Sequence, residues 1–361
     1  MKMVQRVLRV ADELRKFRSE ESYFALIDNP TYAQYLFGID SSNVMILFDV
    51  ADQELSIAIY TDPRYSEKFQ SIIKPMTDLR IEVNSDKPLN LANAKRPIYI
   101  DSAHMTVANF NSIFEGGESN LQTFDAGKVL QSIRSIKDDD EIEALERATA
   151  IADDALLALL KRGIVGKSEI EVKRAMDQLL LQFGADEPSF STIIASGPNG
   201  SVPHATPSDR VIEGNDLVII DYGATYKGYH SDTTRTVKAN NRQFDANESS
   251  TIESVLAAHQ YGVTKVISGS IGNEVDKSVR EFFSEDERKN FIHGLGHGVG
   301  LEIHEYPFLI PGSNDVISDR NVVTVEPGLY YPGMHGVRIE DCYVVQSGEK
   351  TKLSSLPLVI S

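Results

Sequence analysis

A chain of 361 residues with 41% hydrophobic content can bury one large core or two ordinary ones, and its length favours two domains. A formal net charge of -17, with basic residues scattered rather than in runs, argues against a surface that tracks nucleic-acid phosphates. The lone cysteine, Cys342, rules out an internal disulfide and predicts a reducing, cytoplasmic setting, and no stretch is long and apolar enough to span a membrane.

The opening MKMVQRVLRVADELRKF sets Val4, Val7, Leu8, Ala11 and Leu14 on one face and predicts an amphipathic helix. The β-rich runs YFALI, VMILFDV, LSIAIYTD and PIYID follow, separated by helical patterns, and predict a small α/β domain on a mixed sheet. Between the first two, NPTYAQYLFGI (29–39) reads as a loop with an unusually apolar set in Tyr32, Tyr35, Leu36 and Phe37, suited either to burial at an interface or to packing inside its own domain. The triple aspartate in SIKDDDEIEALERATAIADDALLALL suits a helix N-terminus, with Ile142, Leu145, Ala148, Ala152, Ala155, Leu156 and Leu159 at helical spacing behind it. A boundary near residue 126 therefore divides a domain over 1–126 from one over 127–361. The second holds a helix in SEIEVKRAMDQLLLQFG, strands STIIAS, DLVIIDYGA and HSDTTRTV, helices around 248–268 and 273–285, and strands NVVTVEP and HGVRIEDCYVV. Hairpins with helices laid against them predict an α+β fold.

The stretch FIHGLGHGVGLEIHEYP packs His293, His297 and His304 among Gly294, Gly296, Gly298 and Gly300, in a chain with only 8 histidines. It is not a zincin helix, because Phe308 stands where H-E-x-x-H needs its second histidine, and it misses G-x-G-x-x-G in either frame at Val299 and Leu301. Interior glycines, at about 1 kcal/mol each, also oppose an ordinary helix.

Carboxylates supply the missing context. Asp221 closes the run LVII on the same strand face as Leu217 and Ile219, and Asp232 shares a face with His230, Thr234 and Thr236. Glu326 ends the apolar strand NVVTV. GVRIEDCYVV alternates so that Arg338, Glu340 and Cys342 face one way and Val337, Ile339, Asp341 and Tyr343 the other. If these strands share a sheet, desolvation and mutual repulsion demand compensation, and Arg338 is one cation against four acids. Divalent cations meet that demand better, and carboxylates with one imidazole suit Mn²⁺, Co²⁺, Fe²⁺ or Zn²⁺. Two such ions would activate a shared water and polarise a carbonyl. One histidine of the glycine-rich stretch then becomes a ligand, leaving the others for substrate, while the glycines let the backbone approach the site.

These motifs resemble the pita-bread metallopeptidase family (M24), which includes prolidases, aminopeptidase P and methionine aminopeptidases. The likeness runs over about residues 127–361, and the earlier part is similar to the small N-terminal domain of the proline-directed and creatinase branches. It implies a pita-bread catalytic domain holding two divalent metal ions per subunit, Mn²⁺ or Co²⁺ first, with Zn²⁺ or Fe²⁺ also compatible. The resemblance implies that Asp221 in DYGA, Asp232 in SDTTRT, His297 in GLGHGVG, Glu326 in VEPG and Glu340 in VRIED are the ligands, with Asp232 and Glu340 bridging. By the same resemblance His204, in SGPNGSVPHATP, lies near the scissile bond, His304 supports the substrate carbonyl as it becomes an oxyanion, and His293 lines the pocket. The resemblance also implies that Arg338 holds the electrostatics of the site or a hydrogen bond, and in the mechanism expected from it Glu326 doubles as general base and acid. His230 is expected to be structural.

The implied activity is cleavage of the Xaa-Pro bond in proline-containing di- or oligopeptides. An Xaa-Pro dipeptidase (prolidase) comes first and an Xaa-Pro aminopeptidase acting on longer peptides second. The full ligand set weakens two further readings, a creatinase-like amidinohydrolase and a catalytically inactive binding protein. Methionine aminopeptidases normally lack the N-terminal domain. The resemblance also implies a homodimer whose N-terminal domain leans over the partner's active site, with residues 29–39 near that mouth. One position departs from the pattern: where several prolidases read HEWPR, with an arginine suited to the substrate carboxylate, this chain reads HEYPF and places Phe308.

Overall fold

The structure, a computed structural model, describes residues 2–360 apart from 19–20, 52–53, 117–121, 241–242 and 347. Its contacts divide the chain into two compact units, Met1–Arg134 and Ser135–Ser361.

The first unit runs α1 (Lys2–Arg18), β1 (Tyr23–Ile27), α2 (Pro30–Phe37), β2 (Val44–Ala51), β3 (Glu54–Thr61), α3 (Pro63–Ile73), β4 (Arg80–Asn84), β5 (Ile98–Ile100), α4 (Val107–Phe114), β6 (Thr123–Asp125) and α5 (Gly127–Ser135). Its six-stranded sheet has the order β4-β3-β2-β1-β5-β6 and is mixed: β1, β2 and β3 pair antiparallel in sequence, while β4, β5 and β6 join in parallel. The sequence reading missed β4, whose residues are all at least partly exposed, and the three-residue β6; neither has an apolar run to announce it. The α1 face differs from expectation. Val7, Val10, Ala11 and Leu14 are buried at i, i+3, i+4, i+7 spacing, whereas Leu8 is 42% exposed, so the stripe is rotated from the one expected.

Residues 29–39 are not a loop. Asn29 caps α2 by accepting from the Thr31 amide, Pro30 fixes the first turn, and Gly38, at φ 66°, ends the helix in a conformation that costs glycine no strain. Tyr32, Tyr35, Leu36 and Phe37 are buried, with Phe37 edge-on to Phe69 and the Arg6 guanidinium over the Tyr35 ring. Of the two places open to this apolar set, a subunit interface and the protein's own interior, the structure gives the interior. The helix α5 lies beyond the expected boundary at 126, yet it falls almost wholly in the first unit, where Leu130 and Ile133 are buried and Arg9 donates to the Ile133 carbonyl.

The second unit begins with α6 (Asp139–Arg162), started by a capping box between Asp138 and Glu141, and α7 (Glu169–Phe183), started by another between Ser168 and Glu171 and ended at Gly184. It continues through β7 (Glu187–Pro188), β8 (Ile193–Ser196), β9 (Leu217–Tyr222), β10 (Ala224–Tyr226), β11 (Tyr229–His230), β12 (Thr233–Lys238), α8 (Ala246–Lys265), α9 (Gly272–Phe282) and α10 (Glu285–Arg288). It closes with β13 (Gly296–Gly298), β14 (Glu305–Leu309), β15 (Val322–Val325), β16 (Gly328–Tyr331), β17 (His335–Arg338), β18 (Asp341–Gln346) and β19 (Glu349–Lys352). All its strand pairs are antiparallel, in the orders β12-β9-β8, β14-β13-β15-β18-β19, β16-β17 and β11-β10-β7.

Period-two alternation decides which side chains reach the site. Along β9, Val218, Ile220 and Tyr222 pack into a core with Ala152, Leu156 and Leu179 of α6 and α7, which turns Ile219 and Asp221 to the opposite face. Along β15, Val323 and Val325 pack with Val255, Val275 and Val279 of α8 and α9, which turns Thr324 the other way. Two helix-backed layers thus send their polar alternates to their other faces. HGVRIEDCYVV, expected as one strand, is two: β17 pairs with β16, and β18 pairs with β15. Between them Ile339 donates to the Pro327 carbonyl and Glu340 makes an isolated bridge with Thr234.

Candidate metal centre and active site

A cavity of about 140 Å³ in the second unit is lined by Asp221, Asp232, His297, Glu326 and Glu340, together with His204, His293, His304 and Arg338. The structure thus brings together every site residue expected from the sequence. Phe190, Ile193, Pro203 and Ile303 complete the wall. His230 is absent from that lining and pairs instead with Thr225, at 3.2 Å.

Three of the four carboxylates sit just outside strand ends, where the backbone leaves the ladder and a side chain can turn into a cavity. Asp232 immediately precedes β12, Glu326 follows β15, and Glu340 falls between β17 and β18. Glu340 is held by the Thr234 hydroxyl, which donates to Oε2 at 2.6 Å. His297 is within β13. Its Nδ1 lies 3.1 Å from the Gly298 carbonyl, which leaves Nε2 facing Asp232 at 3.7 Å and Glu326 at 3.5 Å. The flanking glycines are required by close approach: a Cβ on Gly296 would stand 2.2 Å from the Thr324 carbonyl oxygen, and one on Gly298 would stand 2.3 Å from that of Tyr306.

On the substrate side, the His304 ring is edge-on to His297, with centroids 4.3 Å apart, and both His304 and His204 are exposed in loops. His293 is set by Nδ1 against the Gly294 carbonyl at 2.7 Å and by Nε2 against the Tyr330 hydroxyl at 2.9 Å. Arg338 is buried and donates to Asp221 Oδ2 at 2.5 Å, the Tyr330 hydroxyl at 2.8 Å, the Pro203 carbonyl at 3.2 Å and Thr234 Oγ1 at 3.1 Å.

Burial, then the charges of Glu340, Asp221 and Glu326, push the Asp232 carboxyl well above its usual range against the opposing pull of Arg338. Burial and then Glu340 do the same to Glu326, and burial and then Asp221 raise Glu340 to about 8. Burial, with His304 next, lowers His297 to about 3, so its imidazole is neutral.

Residues 143–347, more than half of the chain, match Metallopeptidase family M24. The chain belongs to metallopeptidase family M24. It is 40% identical, over 239 residues, to an Xaa-Pro dipeptidase of Pyrococcus furiosus, a span covering 66% of this chain and 68% of that protein. Its structure matches the Xaa-Pro dipeptidase from Bacillus anthracis with a TM-score of 0.86 at 29% identity, covering 98% of both chains. The X-Pro aminopeptidase from Thermotoga maritima matches with a TM-score of 0.81 at 26% identity, over 99% of this chain and 98% of that one. This M24 metallopeptidase therefore has the pita-bread fold, joined to an N-terminal mixed sheet with helices.

The site of this M24 metallopeptidase fits divalent metal. Ligand atoms of Asp232, His297 and Glu340 lie within 4.8 Å of one another, all buried. Asp221 Oδ1 is buried with no hydrogen-bond partner among the described residues, an acceptor that a cation would satisfy. Repelling carboxylates beside a neutral imidazole are a donor set that a divalent ion stabilises and water-free protein does not.

Sequence reasoning overlooked Tyr330, which joins His293 to Arg338, and placed Thr234 on the face of Asp232 without giving it its part, which is to join Arg338 to Glu340. The signal each carries is its place close behind a carboxylate, Tyr330 four residues after Glu326 in EPGLYY and Thr234 two after Asp232 in DTTRTV. Among the described residues, no helix is long and apolar enough to cross a membrane.

Proposed function

We propose that this M24 peptidase hydrolyses the peptide bond before proline, acting first as an Xaa-Pro dipeptidase. The observation that carries the reading is the convergence of Asp221, Asp232, His297, Glu326 and Glu340 in one cavity with His204, His293 and His304. The likeness to Xaa-Pro dipeptidases supports the choice of substrate.

In this reading Asp221, Asp232, His297, Glu326 and Glu340 hold two divalent ions, Mn²⁺ or Co²⁺ before Zn²⁺ or Fe²⁺. Such ions, when bound, supply Lewis acidity that makes a water acidic and polarises a carbonyl. The protein's own groups do the rest. Arg338 fixes Asp221 and Thr234 fixes Glu340, so two ligands are aimed before substrate arrives. Glu326 takes a proton from the attacking water and returns it to the proline nitrogen, which belongs to a tertiary amide and must gain a proton to leave. His304 donates to the carbonyl oxygen as negative charge grows there. His204 and His293 border the peptide. A homodimer belongs to the same reading and is tested by the solution mass of the metal-loaded protein.

One observation favours an Xaa-Pro aminopeptidase as the second reading. Among the described residues that line the cavity, Arg338 is the sole lysine or arginine, and the four hydrogen bonds of its side chain go to protein groups. An Xaa-Pro dipeptide and an Xaa-Pro-Xaa tripeptide, assayed side by side with Mn²⁺ and with Co²⁺, test both. Dipeptide turnover within tenfold of tripeptide turnover supports the dipeptidase. Tripeptides cleaved at least tenfold better replace it with the aminopeptidase, and no cleavage of either removes both.

A further inference from the structure

Pro203 and His204 reach the cavity from an irregular segment, residues 197–208, that follows β8 and holds only a short 3₁₀ turn over Gly197–Ser201. Such a segment has no ladder of its own to fix it, so something else must. One face of it is tied to the β16–β17 hairpin: the Gly333 amide donates to Ser201 Oγ at 3.2 Å, and Arg338 donates to the Pro203 carbonyl. Gly200 and Gly336 meet so closely that a Cβ on Gly336 would stand 2.0 Å from the Gly200 carbonyl oxygen.

The other ties run to α7: the Ile170 amide donates to the Ser208 carbonyl at 3.2 Å, and one carboxylate gathers the rest. Glu169, in the first turn of α7, is fully buried. Its Oε1 accepts from the Ser196 amide and hydroxyl, both at 2.7 Å, and from Asn199 Nδ2 at 3.2 Å. Its Oε2 accepts from Asn199 Nδ2 at 2.9 Å, the Ser208 amide at 3.0 Å and the Ser208 hydroxyl at 2.7 Å. The partners are the residue just before the segment, one inside it and the last one. A buried charge is tolerable only when hydrogen bonds replace its water, and here the segment itself supplies them.

We infer that Glu169 is a positioning residue that acts through the 197–208 segment to hold His204 and Pro203 at the cavity wall. The inference rests on the proposed use of that cavity for peptide. The hydrogen bonds of the Glu169 carboxylate go to Ser196, Asn199 and Ser208 and, among the described residues, to none of the candidate metal ligands, so its effect is expected on substrate and not on metal.

Glu169→Gln keeps the shape but turns one acceptor into a donor facing donors. Ser208→Ala removes a single hydroxyl from the hub and leaves α7 untouched, so it serves if the first variant folds poorly. Each is compared with the wild type for metal content, amide hydrogen exchange over 197–206, and kcat and KM on an Xaa-Pro peptide, alone and with His204→Ala. Expected are unchanged metal content, faster exchange confined to that segment, and a fall in kcat/KM of about tenfold for Glu169→Gln, carried mainly by KM, which shrinks to about twofold or less in the His204→Ala background. Effects that multiply fully in the double variant overturn the inference, as does unchanged exchange over 197–206 or loss of metal with Glu169→Gln. If the wild type cleaves no Xaa-Pro peptide, the proposed activity fails while the exchange and metal measurements still decide the role of Glu169.

Discussion

Arg338 donates to Asp221 at 2.5 Å in the wall of the cavity, and both partners are largely withdrawn from water. The other oxygen of Asp221 is buried and left without a partner among the described residues, so the guanidinium balances the charge of this carboxylate while one oxygen stays open to a further cation. Replacing Arg338 with methionine leaves a buried carboxylate uncompensated. The expected outcome is a loss of about 3–5 kcal/mol of stability in the metal-free protein, smaller when metal is added, measured by urea unfolding. Arg338→Lys should recover little, because an ammonium cannot reproduce the planar fork that also reaches Tyr330, Pro203 and Thr234.

Chelation should abolish hydrolysis, and Mn²⁺ or Co²⁺ should restore it. Asp232→Ala and Glu326→Ala should each lower activity by about 10² or more and reduce the metal content found by elemental analysis, because each removes a charge from a balanced cluster. Full activity in metal-stripped protein would show that the cluster works without metal and sink the reading.

His304 is exposed with its ring edge-on to that of His297, and in the proposed reading it donates to the substrate carbonyl instead of holding metal. His304→Ala is therefore expected to lower kcat by about 10² with metal content unchanged. Loss of metal together with activity would assign it to the ligand set instead.

Phe308 is paired with His297 across β13 and β14, half-buried, and outside the set of cavity-lining residues. Phe308→Arg places a cation next to the strand that carries His297. The ratio of dipeptide to tripeptide kcat/KM should rise, and a ratio that stays at the wild-type value shows that this position does not read the substrate carboxylate.

His259 is buried in α8 with neither ring nitrogen partnered among the described residues. Burial, then Arg235 and Lys352, lower its pKa from 6.5 to about 3. The unfolded chain takes up this proton first as the pH drops, so the stability contributed by the neutral ring is complete above pH 6.5 and is lost as the pH falls toward 3. His259→Leu should shrink the difference in unfolding free energy between pH 7.5 and pH 5 and should not lower stability at pH 7.5; an unchanged difference would show that this ring is not protonated on unfolding.

Much of this protein is written locally. The caps of α6 and α7, the apolar stripes behind them, and the acids at the ends of apolar strands are all short-range patterns whose physics is complete within a few residues. So are the glycines beside His297, since a missing Cβ announces a close approach even before the approaching strand is known.

What only the tertiary structure decided is pairing. HGVRIEDCYVV alternates like one strand, but its two halves find different partners, β16 and β15, and Glu340 sits at the switch. The apolar residues of 29–39 were visible in the sequence, yet whether they faced a partner or their own core depended on α2 finding Arg6, Phe69 and their neighbours. The same holds for Tyr330 and Glu169, whose roles rest on groups 8 to 39 residues away in the chain. Residue type and spacing determine which groups can carry charge or donate a hydrogen bond. Which of them meet is fixed by long-range packing, because an orphan charge or unpaired donor is too costly to bury and the fold must bring its partner from elsewhere in the chain.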